Sequence, residues 1–429
     1  MSTPAASHVG GRAGTFAKLA LVVRSPALLS ALVFAAGGVG FALGNILLAR
    51  VLPEEEYGRV ALFLAVVQLG IVMGPIGAET VINRHHLHAS AGLLTRVGLT
   101  SATVALVLGL VAWAFYGFDA PLALALAVSV TAAALNRVAG AFFQSRRKFG
   151  LSLFLILIHN WIVLVAVPVV LLAGLNALPA ALTVACGYIA MALVGWRKGF
   201  QMRDAGAGLA ASGVATKTLL QEGCAAVGLQ LAVAALFQLD RLLIPNALSI
   251  RDLAIYSVVS SVAASPFRML QTGIQFALLP RLRACESRAA IGRLLRHEAV
   301  IAISVSTVAA VAVLVLTPWL LKVLLDSRYA FPMSLLYALV VVGLVRVWSG
   351  LSSAMVSALG SARQLAMVNV YSWLALGVAA AGAFAARGAG LTGVVYGIGA
   401  GWLALALAGT VIGLRAAGTR VAAVSGMPR

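Results

Sequence analysis

Four arginines lie inside stretches of this sequence that are otherwise apolar and long enough to cross a membrane. They are Arg137, Arg241, Arg268 and Arg346. A cation at the bilayer centre costs roughly 2.5–3.5 kcal/mol on insertion scales, so four unpaired ones would cost on the order of 10 kcal/mol. Such side chains are retained where they face a water-filled cavity and an anion. The four arginines therefore predict a basic interior that receives a negatively charged molecule, which is typical of a transporter.

Uncharged polar side chains recur at helical spacing on the same stretches. Around Arg268 they follow one another at steps of three and four, which predicts one continuous polar face from Ser257 to Gln275 on a single helix. Such stripes also serve as hydrogen bonds between helices, and that alternative stays open for the serines. We expect the polar faces to turn toward a common interior. The candidate cavity residues are Arg137, His159, Asn160, Gln230, Arg241, Arg268, Gln271, Gln275 and Arg346.

Acidic side chains are scarce in the apolar stretches. Coupling of transport to H⁺ or Na⁺ requires a carboxylate or another oxygen ligand, and the candidates are Glu79, Glu222 and Asp240. Alternatively, each is the counter-ion of a nearby arginine. Asp240 directly precedes Arg241, and adjacent helical residues point about 100° apart, so these two are not expected to neutralise each other.

Composition indicates a chain covered largely by lipid. Of its 429 residues, 62% are hydrophobic and only 10% are charged, and the mean hydropathy is +1.03, whereas a soluble domain carries roughly 25% charged residues. The net charge of +19 sits mostly in short gaps between apolar runs, where basic residues orient helices against a membrane. We therefore expect membrane lipids, and not nucleic acid, as partners.

No metal or cofactor site is predicted, and no enzyme motif is present. The three cysteines share no metal-ligand spacing. No segment matches the nucleotide-binding loop Gly-x4-Gly-Lys-Ser/Thr, so ATP is not expected to drive this chain directly.

Apolar runs of about 20 residues predict twelve transmembrane spans. In the gaps between them, 21 Lys and Arg fall on one side and 6 on the other, which predicts that both termini are cytoplasmic. The predicted spans are 27–49, 59–82, 97–117, 120–143, 151–173, 177–196, 219–245, 253–280, 299–321, 333–360, 364–386 and 391–414.

The polar turns after the first and the seventh span are alike, at 52–61 and 248–257. Because six spans separate them, the two halves have the same orientation, which predicts a parallel pseudo-repeat. The predicted protein is all-α, with two halves of six spans each whose polar faces turn toward a common interior. Its expected parts are a cytoplasmic tail at 1–26, an N-terminal bundle at 27–205, a cytoplasmic linker at 206–218, a C-terminal bundle at 219–414 and a second tail at 415–429.

Several short segments resemble known transporters. Leu47–Gly58 resembles the first-loop signature of the polysaccharide (O-antigen type) flippases, which belong to the multidrug/oligosaccharidyl-lipid/polysaccharide (MOP) exporter superfamily. Leu239–Pro245, Leu279–Leu282 and Gly390–Gly393 resemble later segments of that family. The resemblance implies two six-helix bundles around a central cavity, and a protein that alternates between inward-open and outward-open states. It carries no conserved set of catalytic residues.

The resemblance also implies a substrate and a location. The substrate would be a short glycan on undecaprenyl pyrophosphate, moved from the inner to the outer leaflet of the bacterial cytoplasmic membrane. This step would serve surface polysaccharide synthesis (O-antigen, capsule or exopolysaccharide), with a polysaccharide polymerase and chain-length proteins as expected partners. The protein itself is not expected to be an enzyme.

Three alternatives remain open at this stage. A lipid II-type flippase usually has more than twelve spans, and a cation-coupled drug exporter would be expected to bury more acids and fewer arginines. A membrane glycan polymerase or ligase generally carries a large outer loop, but no predicted outer loop here exceeds about 15 residues.

Overall fold

The computed structural model describes residues 26–85, 87–146, 148–202, 216–285, 287–326 and 328–425. These residues form fourteen α-helices and one short 3-10 helix (Arg387–Ala389), with no strand among them. The α-helices are α1 (Pro26–Val51), α2 (Glu54–Met73), α3 (Ala78–His85), α4 (Ala91–Tyr116), α5 (Ala120–Ser145), α6 (Phe149–Ala173), α7 (Ala177–Gln201), α8 (Thr216–Ala247), α9 (Ile250–Ala263), α10 (Ser265–Arg283), α11 (Arg288–Leu325), α12 (Met333–Leu359), α13 (Ala362–Ala385) and α14 (Gly390–Ser425).

The helices make this a multi-pass membrane protein. Within the described residues, nine helices are each long and apolar enough to cross a membrane, and the bent pair of α9 and α10 would make a tenth span. Large apolar side chains of α11 point away from the protein, as a lipid-facing surface requires; examples are Val300, Ile303, Val308, Val315 and Trp319. The count of twelve spans and the side of the termini stay predictions.

Two spans predicted as single helices are broken. The span predicted at 59–82 consists of α2 and α3, separated by a turn that contains Pro75. The span predicted at 253–280 bends by 53° between α9 and α10, next to Pro266. Proline lacks a backbone N–H, and its ring clashes with the carbonyl four residues earlier, so it kinks or ends a helix. The prediction of one continuous polar face from Ser257 to Gln275 is therefore wrong.

Several helices extend beyond the predicted apolar runs. α11 begins at Arg288, before the predicted span at 299, and α14 continues to Ser425, past the predicted end of the bundle at 414. Hydropathy marks only the apolar part of a helix, whereas Ala, Leu and Arg are good helix formers that continue it outside lipid. Most of the predicted tail at 1–26 and of the linker at 206–218 lies outside the described residues, as do residues 426–429.

The same pairs of helices pack together in the two halves of the chain. In the first half α1 packs on α6, α5 packs on α2, α4 and α7, and α6 packs on α7. In the second half α8 packs on α13, α12 packs on α10, α11 and α14, and α13 packs on α14. Counted by span, these are equivalent pairs, as a parallel repeat would produce. The halves meet mainly where α2 contacts α8 and α9.

The break between α2 and α3 allows a close approach between the halves. Gly77 has φ +70°, and a Cβ atom there would lie 2.3 Å from the carbonyl oxygen of Gly223 in α8. A Cβ on Gly223 would lie 2.1 Å from the carbonyl oxygen of Ile76. Glycine at both positions therefore lets two backbones touch.

Gly77→Ala is expected to destabilise the protein more than Gly117→Ala. Gly117 has φ +65°, and a Cβ at this position would have no atom within 4 Å, so alanine there adds only left-handed strain, about 1 kcal/mol. Gly77→Ala adds the clash with α8, about 1–3 kcal/mol more. Thermal unfolding of both variants in detergent measures the difference. Equal Tm values would contradict the close approach.

Candidate functional site

A buried ion pair joins two helices of the second half. The guanidinium NH2 of Arg346 in α12 lies 3.3 Å from Oδ2 of Asp240 in α8, and both side chains are almost fully buried. The hydroxyl of Tyr256 in α9 donates a hydrogen bond to the same carboxylate oxygen. The guanidinium also lies 4.9 Å from the ring centroid of Trp402 and 6.0 Å from that of Phe237. Aromatic faces at such distances favour a cation.

Two further arginines stand close to this pair without an acid of their own. Among the described residues, neither Arg241 nor Arg268 forms an ion pair, and the Nε of each is buried without a hydrogen-bond partner. Arg241 directly follows Asp240 in α8, and both Arg241 and Arg268 lie within electrostatic range of the Asp240 carboxylate. Arg346 contacts the Asp240 carboxylate directly, and Arg241 and Arg268 lie near it without an ion pair among the described residues. Such an excess of buried positive charge is costly unless an anion joins it.

The space at this arginine cluster (Arg241, Arg268 and Arg346) is small in the present conformation. The void beside Asp240 and Arg346 measures about 10 Å³, which holds one water molecule at most. Its walls come from α8, α9, α12 and α14, together with Ala264 at the bend before α10. An anion larger than water could reach Arg346 only if these helices moved apart.

A larger cavity lies in the first half, between α2, α3, α5 and α6. It measures about 300 Å³ and is lined by charged, polar and apolar side chains. Arg137 Nε donates to Glu79 Oε1 at 3.0 Å, and its NH2 donates to Oε1 of Gln230 in α8 at 2.9 Å. Arg137 therefore links the two halves. The polar residues that line this first-half cavity are Glu79, Asn83, Asn136, Arg137, Gln144, Ser152 and His159.

Two residues that line the first-half cavity each hold a buried oxygen without a donor. These oxygens are Oε2 of Glu79 and Oδ1 of Asn136, whose residues are 8% and 6% exposed. His159, by contrast, has its Nε2 3.3 Å from both Gln68 Nε2 and Tyr188 Oη, and its ring stacks on the Tyr188 ring at 4.7 Å.

The predicted site residues fall into two groups at two separate spaces. Arg137, His159 and Gln230 belong with the first-half cavity, whereas Arg241, Arg268 and Arg346 form the arginine cluster. The two spaces share no lining residue. Hydropathy gives the depth and face of a side chain, but it does not identify the neighbouring helix.

The remaining predicted cavity residues make local contacts. Gln271 is buried where α10 meets α12, so close that a Cβ on Gly350 would lie 2.8 Å from its Cγ. The side-chain amide of Asn160 donates to the carbonyl oxygen of Ile156 at 2.9 Å. Gln275 is half-buried on α10. None of the three lines either space.

Each of the three candidate coupling acids pairs with a basic side chain. Glu222 Oε2 lies 2.9 Å from His85 Nε2 and 3.4 Å from Arg84 NH1. Asp240 pairs with Arg346, a residue of another helix, and not with the adjacent Arg241. Glu79 pairs with Arg137 but keeps its second oxygen free.

Ion pairs also connect the halves at the end of the molecule that was predicted to face outward. Arg50 NH2 lies 3.0 Å from Oδ2 of Asp326, and Glu54 accepts a hydrogen bond from Arg251. The Tyr329 hydroxyl donates to the carbonyl oxygen of Ala49 at 3.0 Å. These contacts hold the loops after α1 and before α12 together.

Sequence reasoning missed three side chains of the two candidate spaces. Asn136 precedes Arg137 in an apolar run, and a polar residue at that position indicates a candidate lining residue. Tyr256 lies in the predicted repeat turn but was not assigned as a partner of Asp240. Trp402 carries no signal in the sequence, since its contact with Arg346 depends on α12 packing against α14.

Comparison with known proteins gives both a family and a fold. The profile of a family described as polysaccharide biosynthesis protein matches residues 47–333. Among curated proteins, none matches the chain significantly. Several solved transporters share its fold.

The solved structures are distant in sequence. An inward-facing multidrug resistance transporter of the MATE family, in the MOP superfamily, is 16% identical with a TM-score of 0.66, over 91% of this chain and 96% of that chain. An outward-facing conformation of such a transporter is 14% identical with a TM-score of 0.57, over 92% and 94%. A MOP transporter from Pyrococcus furiosus, described as having a binding pocket of reverse polarity, is 14% identical with a TM-score of 0.54, over 93% and 95%. At these identities the similarity establishes the fold alone.

Proposed function

The chain belongs to the polysaccharide biosynthesis protein family, with the fold of a MOP-superfamily transporter, and we propose that it is a flippase for lipid-linked glycans. Its substrate is an oligosaccharide repeat unit on undecaprenyl pyrophosphate, which it turns from the inner to the outer leaflet of the bacterial cytoplasmic membrane. The product serves the synthesis of a surface polysaccharide.

The observation that carries this proposal is the excess of arginine over acid around Asp240 in the second half, where Arg241 and Arg346 are buried and Arg268 is half-buried. Arg346 pairs with Asp240, and Arg241 and Arg268 lie within electrostatic range of that carboxylate without an ion pair of their own among the described residues. A pyrophosphate supplies several anionic oxygens, and the planar guanidinium fork matches phosphate oxygens with paired hydrogen bonds. The same excess of positive charge would repel a cationic drug.

Asp240 acts in this proposal as a resident counter-ion. Asp240 pairs with Arg346 while no substrate is bound. The pyrophosphate replaces Asp240 as the partner of Arg346 when the helices around the cluster separate. Two bundles that rock against each other would open that space first to one side of the membrane and then to the other.

The energy source and the partner proteins are part of the proposal. Coupling to H⁺ or Na⁺ would use Glu79, Glu222 or Asp240, and Glu79 keeps a buried carboxylate oxygen without a hydrogen-bond partner. Polymerase and chain-length proteins would receive the flipped repeat unit. No cofactor takes part.

Arg268→Ala is expected to lower surface polysaccharide by about tenfold or more, because a charge-assisted hydrogen bond contributes about 1.5–3 kcal/mol. Arg268→Lys should give an intermediate level, since lysine keeps the charge but not the planar fork. Both variants, together with Arg346→Ala, are tested in a strain that lacks the chromosomal gene. Surface glycan and lipid-linked repeat units trapped on the inner leaflet are measured together.

The control for this experiment is Arg363→Ala, which removes an exposed arginine at the start of α13. It should export glycan normally. Protein levels in the membrane are measured for every variant. Wild-type glycan in Arg268→Ala and Arg346→Ala, at equal protein levels, would contradict the proposed substrate.

A further inference from the structure

We propose that α3 is a strained latch that closes the protein at its inner end, the end that the distribution of Lys and Arg predicts to be cytoplasmic. α3 belongs to the first half and contacts α8 of the second half, so the docked latch holds the halves together. When α3 leaves α8, the turn before α3 relaxes and the inner end opens. This inference rests on the proposed alternation of the halves and not on the identity of the substrate.

The turn between α2 and α3 holds a strained residue. Ile76 has φ +47°, and Gly77 follows it with φ +70°. Among the described residues, Asp326 is the only other non-glycine residue with a positive φ, and aspartate enters this left-handed region several times more readily than most residues. Isoleucine is β-branched, so its side chain crowds the backbone in this conformation. Such strain persists only where the surrounding structure imposes it.

A break at this position does not by itself require a strained residue. Counted by span, the break between α2 and α3 is equivalent to the break between α9 and α10. That second break bends the chain by 53° and passes through Ala264 at φ −87° and ψ −18°, which is an unstrained right-handed conformation. A broken span can thus turn without a left-handed residue, and the strain at Ile76 needs another cause.

Contact with α8 supplies that cause. A Cβ on Gly223 of α8 would lie 2.1 Å from the carbonyl oxygen of Ile76, and a Cβ on Gly77 would lie 2.3 Å from the carbonyl oxygen of Gly223. At each glycine a hydrogen atom takes that direction and points at a carbonyl oxygen of the other segment, as in a Cα–H···O contact. The left-handed turn places the Ile76 carbonyl against α8, so we expect the strain to be retained only while α8 is in place.

Polar side chains hold the rest of α3 to the second half. Glu222 Oε2 of α8 lies 2.9 Å from His85 Nε2 and 3.4 Å from Arg84 NH1. Gln230 Nε2 of α8 donates to Thr80 Oγ1 at 3.4 Å. The three side chains of α3 in these contacts are exposed, so each contact contributes little to stability. Such a set of weak contacts can break and form again in each transport cycle.

α3 would stay with the first half when the latch opens. It packs more extensively on α5 than on α8, and Glu79 of α3 accepts a hydrogen bond from Arg137 of α5 at 3.0 Å. Opening therefore separates α3 and α5 together from α8. The hydrogen bond from Arg137 to Gln230 would break in the same movement.

Substitutions at Ile76 test the strain without removing the backbone contact with α8. Asparagine tolerates a left-handed φ, so Ile76→Asn should relieve the docked state and raise the ratio of docked to undocked protein about tenfold. Ile76→Gly should shift the ratio in the same direction but by less, because glycine also gives the undocked turn more freedom. Ile76→Val keeps the β-branch and is the matched control.

A substitution in α8 should have the opposite effect. Gly223→Ala places a methyl group where the Ile76 carbonyl oxygen lies, so it should favour the undocked state. Gly228→Ala is the matched control on the same helix, since the nearest atom to a Cβ there is Asn369 Nδ2 at 3.7 Å, an ordinary contact. Both substitutions raise the helix propensity of α8 alike, so the difference between them reports the contact with α3.

The test measures the distance between a spin label on α3 and one on α8 by electron paramagnetic resonance, with the full chain in lipid nanodiscs and without substrate. The labels are attached at Asn83→Cys and at the native Cys224, which are both exposed positions, after Cys186 and Cys285 are replaced by alanine. We expect a short docked distance and a longer undocked distance in the wild-type background. The variants should change the proportions of the two distances, and the two control variants should match the wild type.

An unchanged docked fraction in both Ile76→Asn and Ile76→Gly would refute the strained latch, and so would equal distances in Gly223→Ala and Gly228→Ala. If the wild type gives the docked distance alone, the Ile76 variants are compared in the Glu222→Ala background, which lacks the acid that pairs with α3. A docked distance that persists alone in Glu222→Ala, or an undocked one that Ile76→Asn does not reduce, overturns the proposal.

Failure of the latch and failure of the proposed function are distinguishable. The distances are measured without substrate, so a refuted latch leaves the lipid-linked glycan as the proposed substrate. Conversely, wild-type glycan export by Arg268→Ala and Arg346→Ala would remove that substrate and leave the measured docking of α3 unchanged.

Discussion

Asp240→Ala is expected to be among the most destabilising single substitutions in this protein. It removes the carboxylate paired with Arg346 and takes an acceptor from the Tyr256 hydroxyl. Loss of one partner from a buried ion pair costs about 3–5 kcal/mol, because the other charge stays buried without compensation. We expect Tm in detergent to fall by roughly 5–10 °C.

A double variant separates the loss of the pair from the loss of packing. In Asp240→Ala/Arg346→Met, the unpaired guanidinium of Arg346 is gone, and methionine fills an apolar space near Trp402 and Phe237. The double variant should therefore melt at a higher temperature than Asp240→Ala alone. If both melt together at the wild-type temperature, the pair is not buried as described, and the charge excess loses its structural basis.

Asp240→Ala also tests the role of this carboxylate in transport. Without Asp240 the arginine cluster holds three cations and no acid, so the cluster should attract an anion more strongly. If Asp240 is a resident counter-ion, protein that still reaches the membrane should hold bare undecaprenyl diphosphate more tightly and release it more slowly. Tight binding with poor export distinguishes this role from a purely structural one.

The transmembrane helices could be predicted from the sequence because hydropathy is a local property. Each predicted span overlaps one helix or one broken pair of helices. The breaks between α2 and α3 and between α9 and α10 are harder to predict from the sequence, although Pro75 and Pro266 are visible in it. Pro168, inside α6, and Pro318, inside α11, do not break their helices, so proline alone does not give the position of a break. At the break between α2 and α3, the packing of Gly77 against Gly223 also helps to set the position of the break.

The candidate site was predicted as a set of residues but not as an arrangement. Charged groups inside apolar runs stand out in the sequence, and Arg137, Arg241, Arg268 and Arg346 were all identified in this way. Their partners depend on which helices are neighbours. Asp240 and Arg346 are 106 residues apart in the chain, and Glu79 and Arg137 are 58 apart. No local pattern in the sequence relates positions at such separations.

Cross-linking the two halves at their predicted outer end is expected to abolish export. Glu54 and Arg251 form an ion pair across the halves, and the Arg251 side chain is 68% exposed, so the pair itself should contribute little to stability. Glu54→Cys/Arg251→Cys is made after the native Cys186, Cys224 and Cys285 are replaced by alanine. The reduced protein should export normally. A short, membrane-impermeant bis-thiosulfonate reagent should then lower surface glycan by about tenfold or more, because rocking bundles must separate at this end.

A cross-link inside one helix is the matched control for that experiment. Glu56 and Arg59 form an ion pair at 3.1 Å within α2, at the same end of the molecule. Glu56→Cys/Arg59→Cys should react with the same reagent and keep exporting glycan, since it does not join the halves, and reductant should restore export in the first variant. Continued export by fully cross-linked Glu54→Cys/Arg251→Cys would contradict alternating access at this interface. If neither pair reacts until the membrane is permeabilised, this end faces the cytoplasm, and the orientation predicted from the Lys and Arg distribution is inverted.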